Sequence, residues 1–151
     1  MPLLVFALSL SILFSTPDAS ELPVVKDYEQ ALAIAKQSDK PIFLLFTGLS
    51  CPHNEAVQEL IREDSTIRQL LADHYVNTWL YVDDGRSLPE PEQVIWKGQP
   101  QTLSNYGHKW AYLEWTLLQQ DVQPIAAIVD ADGLLLCDAR TYEELRDGFL
   151  S

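Results

Sequence analysis

Residues 41–54 read PIFLLFTGLSCPHN, and this stretch decides the fold. Pro41 to Phe46 is a short apolar run bounded by Lys40-Pro41 and by Thr47-Gly48, which is the pattern of a buried strand. Glu55-Ala56-Val57-Gln58-Glu59-Leu60-Ile61 then turns to helical spacing, so the chain passes from strand to helix with Cys51 at the junction. Pro52 suits the first helical position, where its missing N–H costs nothing. Asn54 stands where a second cysteine would complete a redox pair.

Working outward, Asp27 reads as an N-cap, and Tyr28, Ala31, Leu32, Ile34 and Ala35 as the inner stripe of a helix ending near Ser38. After the Cys51 helix, Asp64 or Ser65 starts a further stripe of Ile67, Leu70, Leu71 and His74. Tyr75 to Val82 is β-rich and ends at Asp83-Asp84. Neighbours on a strand face opposite ways, so this acidic pair reads as a strand-end turn and not as a catalytic dyad. Helix, strand, helix and strand in this order suggest a βαβ core.

Residues 85–107 carry Pro89, Pro91, Gly98 and Pro100 with no sustained period, which predicts a long loop of the kind that is usually functional. Trp96 and Tyr106 within it are candidates to line a partner groove. Helical spacing resumes from Lys109 to Gln120. Pro124 to Val129 and Leu134 to Cys137 flank Asp130-Ala131-Asp132-Gly133, a hairpin signal, and Thr141 is expected to cap a last helix reaching Phe149.

The chain has 151 residues, 47% of them hydrophobic, with four Trp, six Tyr and five Phe, which is enough for one domain with a sizeable core. Ten Lys and Arg against 22 Asp and Glu give a net charge of -12, spread along the chain. Such acidity serves solubility and makes nucleic acid and anionic membrane surfaces poor partners. Leu3 to Phe14 is apolar except for Ser9 and Ser11, too short for the roughly 20 residues a membrane span needs but matched to a signal-peptide core. Residues 1–20 are therefore read as a signal peptide or short membrane anchor, and 21–151 as the folded domain. No Lys or Arg precedes the apolar run, and Pro17 or Asp18 occupies the position of the small residue that a cut near Ala19 or Ser20 favours.

The order of elements, with a cysteine starting the helix after the first core strand and Gln123-Pro124 opening a later strand, resembles the thioredoxin fold. Lys40-Pro41 through Thr47-Gly48, Cys51, Leu80-Tyr81-Val82-Asp83-Asp84, Leu88-Pro89-Glu90, Gly107-His108-Lys109-Trp110 and Gln123-Pro124 are similar to the C-terminal domain of bacterial membrane thiol-disulfide interchange proteins, the protein-disulfide reductases. The resemblance runs from about Asp27 to Phe149. It implies an α/β fold with a central mixed sheet flanked by helices, and a periplasmic or envelope location. It also implies protein disulfides or thiols as partners, with a membrane electron donor or glutathione supplying electrons. The chain is read as a monomer that needs no cofactor.

At a helix start Cys51 meets the positive end of the helix dipole, which favours the nucleophilic thiolate, and His53 adds to that when protonated. The resemblance makes Pro124 the proline that follows a cis peptide bond, faces the reactive sulfur and shapes the substrate groove. Cys51, His53 and Pro124 are thus the candidate catalytic residues. Pro52, Asn54 and Gln123 are the candidate substrate-binding ones.

Three departures from the family stand beside the match. Asn54 cannot resolve a mixed disulfide, Leu45 stands where thioredoxins place a buried acid, and Ser50 replaces the tryptophan common before the cysteine. Loss of the dithiol cycle leaves two readings, a single-thiol exchange protein or a non-catalytic polypeptide-binding module. Cys137, on the expected return strand of the hairpin, is assigned to core packing and not to a bridge with Cys51, since bridging needs Cα atoms within about 7 Å. His53, His74 and His108 show no zinc-ligand spacing, so no metal is expected.

Overall fold

The structure is a computed structural model and describes residues 21–148. The expectations for residues 1–20, and for Phe149 as the end of the last helix, lie outside these residues.

The elements follow as α1 (Tyr28–Ser38), β1 (Ile42–Thr47), α2 (Pro52–Glu63), α3 (Ser65–His74), β2 (Val76–Tyr81), β3 (Ser87–Trp96) and β4 (Gln99–Asn105). Next come α4 (Tyr106–Leu118), β5 (Ile125–Val129), β6 (Arg140–Thr141) and α5 (Tyr142–Gly148). Four strands form one mixed sheet in the order β2-β1-β5-β6. β1 runs parallel to β2 with Ile42 opposite Val76, and antiparallel to β5 with Ile42 opposite Val129. Two helices, α2 and α3, make the crossover from β1 to β2, which is the βαβ unit anticipated from the sequence.

β1 is buried along its whole length because helices cover both faces of the sheet. The strand's two-residue period splits it between two cores. Ile42, Leu44 and Phe46 join Ala31 and Ala35 of α1 and Trp110 of α4 on one face. Phe43 and Leu45 join Val57 and Ile61 of α2, Ile67 and Leu71 of α3 and Leu145 of α5 on the other. Each of the buried Val, Leu, Ile and Phe side chains contributes roughly 1.5–3 kcal/mol by leaving water. Leu45 is therefore an apolar core residue here.

The helix starts follow their capping residues. Asp27 accepts from Gln30 N at 2.8 Å, and Asp64 from Thr66 N and Ile67 N. Asn105 accepts from His108 N at 2.8 Å, so α4 begins at Tyr106, one turn earlier than the hydrophobic spacing alone suggested. Thr141 N donates to Glu144 Oε2 at 2.8 Å at the start of α5.

Two expectations are corrected. Residues 85–107 are not an irregular loop, since Ser87–Trp96 and Gln99–Asn105 pair as an antiparallel hairpin. Its turn is Lys97-Gly98, both at positive φ, and the register shift between Ser87 and Glu92 contains Pro89 and Pro91. Both faces are largely exposed, so no alternation of apolar and polar residues marks these strands. Trp96 packs edge-on against Tyr112, joining the hairpin to α4, and Tyr106 packs beside Trp110 within α4.

The second correction concerns Leu134 to Cys137. The turn forms, with Asp130 accepting from Asp132 N and Leu134 N and Gly133 at φ 83, but the return meets β5 only through a bridge from Leu135 to Val129. The next pairing is the two-residue β6 against Ile125 and Ala126. Leu134, Leu135 and Leu136 are exposed, and Cys137 is an exposed free thiol, not a core residue. With all three leucines exposed, the alternation buries neither face here.

Candidate functional site

The site lies where the chain leaves the C-terminal end of β1. Cys51 is the N-cap of α2, with φ -77 and ψ 121, and its side chain makes no capping hydrogen bond. Pro52 occupies the first turn, and Asn54 N donates to the Cys51 carbonyl at 3.0 Å. The sulfur is left at the helix N-terminus, half-buried, where unpaired N–H groups concentrate positive charge.

A carboxylate from the neighbouring strand end secures the approach to it. Asp83, just past β2, accepts from Leu49 N at 2.7 Å and from Ser50 N at 3.0 Å. Partial burial opposes its ionisation, but these N–H donors outweigh that and hold the carboxyl below its usual range. The turn bearing Asp83 is itself pressed against α4. Gly107 N donates to Asp84 O at 2.8 Å, and a Cβ on Gly107 would stand 2.7 Å from Val82 O. Asp84 pairs with Arg86, whose guanidinium hydrogen bonds hold the Asp84 carboxyl low as well. The Asp83-Asp84 pair is thus a strand-end turn that anchors the Cys51 loop.

Across from the sulfur, Cys51 Sγ donates to the Gln123 carbonyl oxygen at 3.9 Å, and the Gln123–Pro124 peptide bond is cis. The Gln123 side chain points inward, where its Nε2 donates to Glu114 Oε2 of α4 at 2.7 Å. Exposed Leu49 and Val122 flank the sulfur-bearing and proline-bearing loops.

Of the residues singled out from the sequence, Cys51, Pro52, Gln123 and Pro124 come together here. Asn54 faces inward, its Oδ1 accepting from Thr47 Oγ1 at 3.0 Å and from Gln58 Nε2 at 3.1 Å. His53 is exposed, and its ring stacks on Tyr142 with centroids 4.9 Å apart. Asp83 as loop anchor and Glu114 as support for Gln123 were not read from the sequence. Glu114 had a signal, because it lies one turn beyond Trp110 on the buried face of an apolar helix, where a carboxylate is out of place.

No family model matches the sequence, and no curated protein matches it. Solved structures do resemble the fold. One, a DsbH oxidoreductase, superposes with a TM-score of 0.54 at 21% identity over 86% of this chain and 81% of its own. A disulphide isomerase from Xylella fastidiosa Temecula1 gives 0.52 at 18% identity over 85% of this chain and 96% of its own. The chain has a thioredoxin-like fold. Within the thioredoxin-like frame, Cys51 sits at the start of the helix after the first core strand, and Pro124 opens the strand that pairs antiparallel with it.

Proposed function

We propose that the protein is an exported thiol-disulfide exchange protein that works through a single nucleophilic cysteine, Cys51, on protein or low-molecular-weight disulfides. The observation that carries this reading is the half-buried sulfur at the α2 N-terminus, facing the Gln123 carbonyl beside Pro124. The thiolate form attacks one sulfur of a substrate disulfide. That S–S bond breaks, a Cys51–substrate disulfide forms, and the departing thiolate takes up a proton. The helix N-terminus supports the thiolate, and His53, two residues along, adds positive charge when protonated. Gln123 and Pro124, with Pro52 opposite, form the groove in which an extended substrate pairs with the backbone.

Asn54 has no sulfur with which to expel the substrate, and its carbonyl is already engaged by Thr47 and Gln58. Release therefore falls to an external thiol. Its attack on the substrate sulfur returns Cys51 as thiolate and carries the disulfide away with the incoming thiol. Glutathione or a membrane electron donor fits that role. The apolar Leu3–Phe14 segment supports an envelope location, and mass spectrometry of protein isolated from the envelope tests it by reading the N-terminus and any adduct on Cys51.

Exposure to a peptide disulfide is expected to produce a mixed disulfide on Cys51 that glutathione releases. Absence of any adduct rules out the exchange reading. The hydrogen-bonded Asn54 favours a second reading, a non-catalytic module that holds extended polypeptides. Peptide affinity that survives Cys51→Ser, with no adduct on the wild type, selects it.

A further inference from the structure

Glu114 is fully buried on α4, in line with Trp110 one turn earlier. Its Oε2 accepts from Gln123 Nε2 at 2.7 Å, while Oε1 is buried without a protein partner. Burial pushes its carboxyl up to about 7, with the nearby Asp121 charge acting the same way and the Gln123 and Val122 donors opposing. Asp121 is in turn held by Lys97 at 2.8 Å. A leucine would occupy such a position at less cost in desolvation, so packing alone gives no reason for a carboxylate. What the carboxylate does is hold one side chain, and that side chain belongs to the residue whose carbonyl oxygen lies 3.9 Å from Cys51 Sγ.

We propose that Glu114 is a positioning residue for thiol exchange: by gripping the Gln123 carboxamide from inside, it sets the Gln123 carbonyl against the Cys51 sulfur and orients the backbone beside Pro124 that an extended substrate meets. The inference rests on the exchange reading given above. With the grip removed, the carbonyl oxygen no longer opposes negative charge on sulfur, while the groove loses its shape. The bare thiol then reacts faster and the substrate more slowly. A side chain that only fills space moves neither quantity in this opposed way.

The test measures two rates on wild type, Glu114→Leu and Glu114→Gln. Iodoacetamide alkylation of Cys51, followed by peptide mass mapping from about pH 5 to about pH 9, needs only the thiolate. Mixed-disulfide formation with an oxidised, cysteine-containing peptide needs the exchange reading itself. Glu114→Leu is expected to be alkylated about threefold faster and to exchange with the peptide about tenfold more slowly, the scale of losing one hydrogen bond. Glu114→Gln keeps an acceptor oxygen for Gln123 and is expected within about twofold of wild type in both. Equal alkylation profiles in wild type and Glu114→Leu overturn the positioning role. Faster alkylation of Glu114→Leu, with no peptide exchange in any protein including the wild type, keeps the positioning role and removes the exchange reading. Gln123→Met breaks the same bond from the other end, and it supplies the alkylation comparison if Glu114→Leu fails to fold.

Discussion

The two cysteines of this chain lie in opposite kinds of surroundings. Cys137 is exposed, beside three exposed leucines and past a single bridge to β5, five residues before α5 begins. Cys51 is half-buried and is approached from three elements: the α2 N-terminus beneath it, the Asp83 turn holding the loop before it, and the Gln123 carbonyl opposite. Access alone would make Cys137 the more reactive thiol. The exchange reading proposed for Cys51 rests on a different ground from access, that a thiol gains nucleophilic character where its negative charge is supported, here by the α2 N-terminus.

The sharpest way to break the comparison is to remove each sulfur in turn. Cys51→Ser is expected to abolish mixed-disulfide formation with a peptide disulfide, whereas Cys137→Ser keeps the rate within about twofold, both read by intact-mass spectrometry. The reverse result would move the site to the sheet edge. Next in size is Asn54→Cys, which supplies the missing resolving thiol. It is expected to raise insulin reduction by about tenfold or more, even though Thr47 loses its acceptor at a cost of about 1 kcal/mol.

A stability measurement then probes the inner wall of the Cys51 region. The folded-state value of Glu114 is raised from 4.5 to about 7, so its neutral form is the one the fold prefers. Its favourable contribution is complete below about pH 4.5 and is lost as pH rises through about 7. Urea unfolding should show Glu114→Gln gaining on wild type across that window, by on the order of 3 kcal/mol at most. A constant difference between the two proteins across pH would mean that Glu114 does not titrate in the fold.

Smaller effects test the loop anchor. Gly107→Ala puts a Cβ 2.7 Å from Val82 O and 2.8 Å from Asp84 N, and the required backbone shift is expected to cost about 2 kcal/mol. Thermal unfolding measures it. Asp83→Ala removes the acceptor for Leu49 N and Ser50 N and is expected to cost about 1 kcal/mol near neutral pH. Because the Asp83 carboxyl is held below 3.8, its contribution is present above that pH and disappears as pH falls further, so wild type and variant should converge in acid.

Much of this was legible in the sequence where pattern and burial agree. The run from Ile42 to Phe46, the Pro52 helix start and the Asp27 and Asp64 caps follow from local periodicity and backbone chemistry and are found, as are the apolar stripes, except that His74, read into the α3 stripe, is exposed at the end of that helix. The hairpin at Ser87–Asn105 was hidden because both its faces meet water and leave no period to read. Cys137 was misjudged for a related reason. Alternation marks a strand as able to bury one face, but only the neighbours of that strand determine whether anything covers it.

From the sequence alone came the strand, the helix and the sulfur between them, since these depend on residues adjacent in the chain. The tertiary structure alone decided what surrounds that sulfur. Asp83 reaches Leu49 and Ser50 from the turn after β2, and Glu114 of α4 reaches Gln123 in the loop before β5. Such contacts join residues far apart along the chain, and no local period or propensity encodes the packing that closes the distance between them.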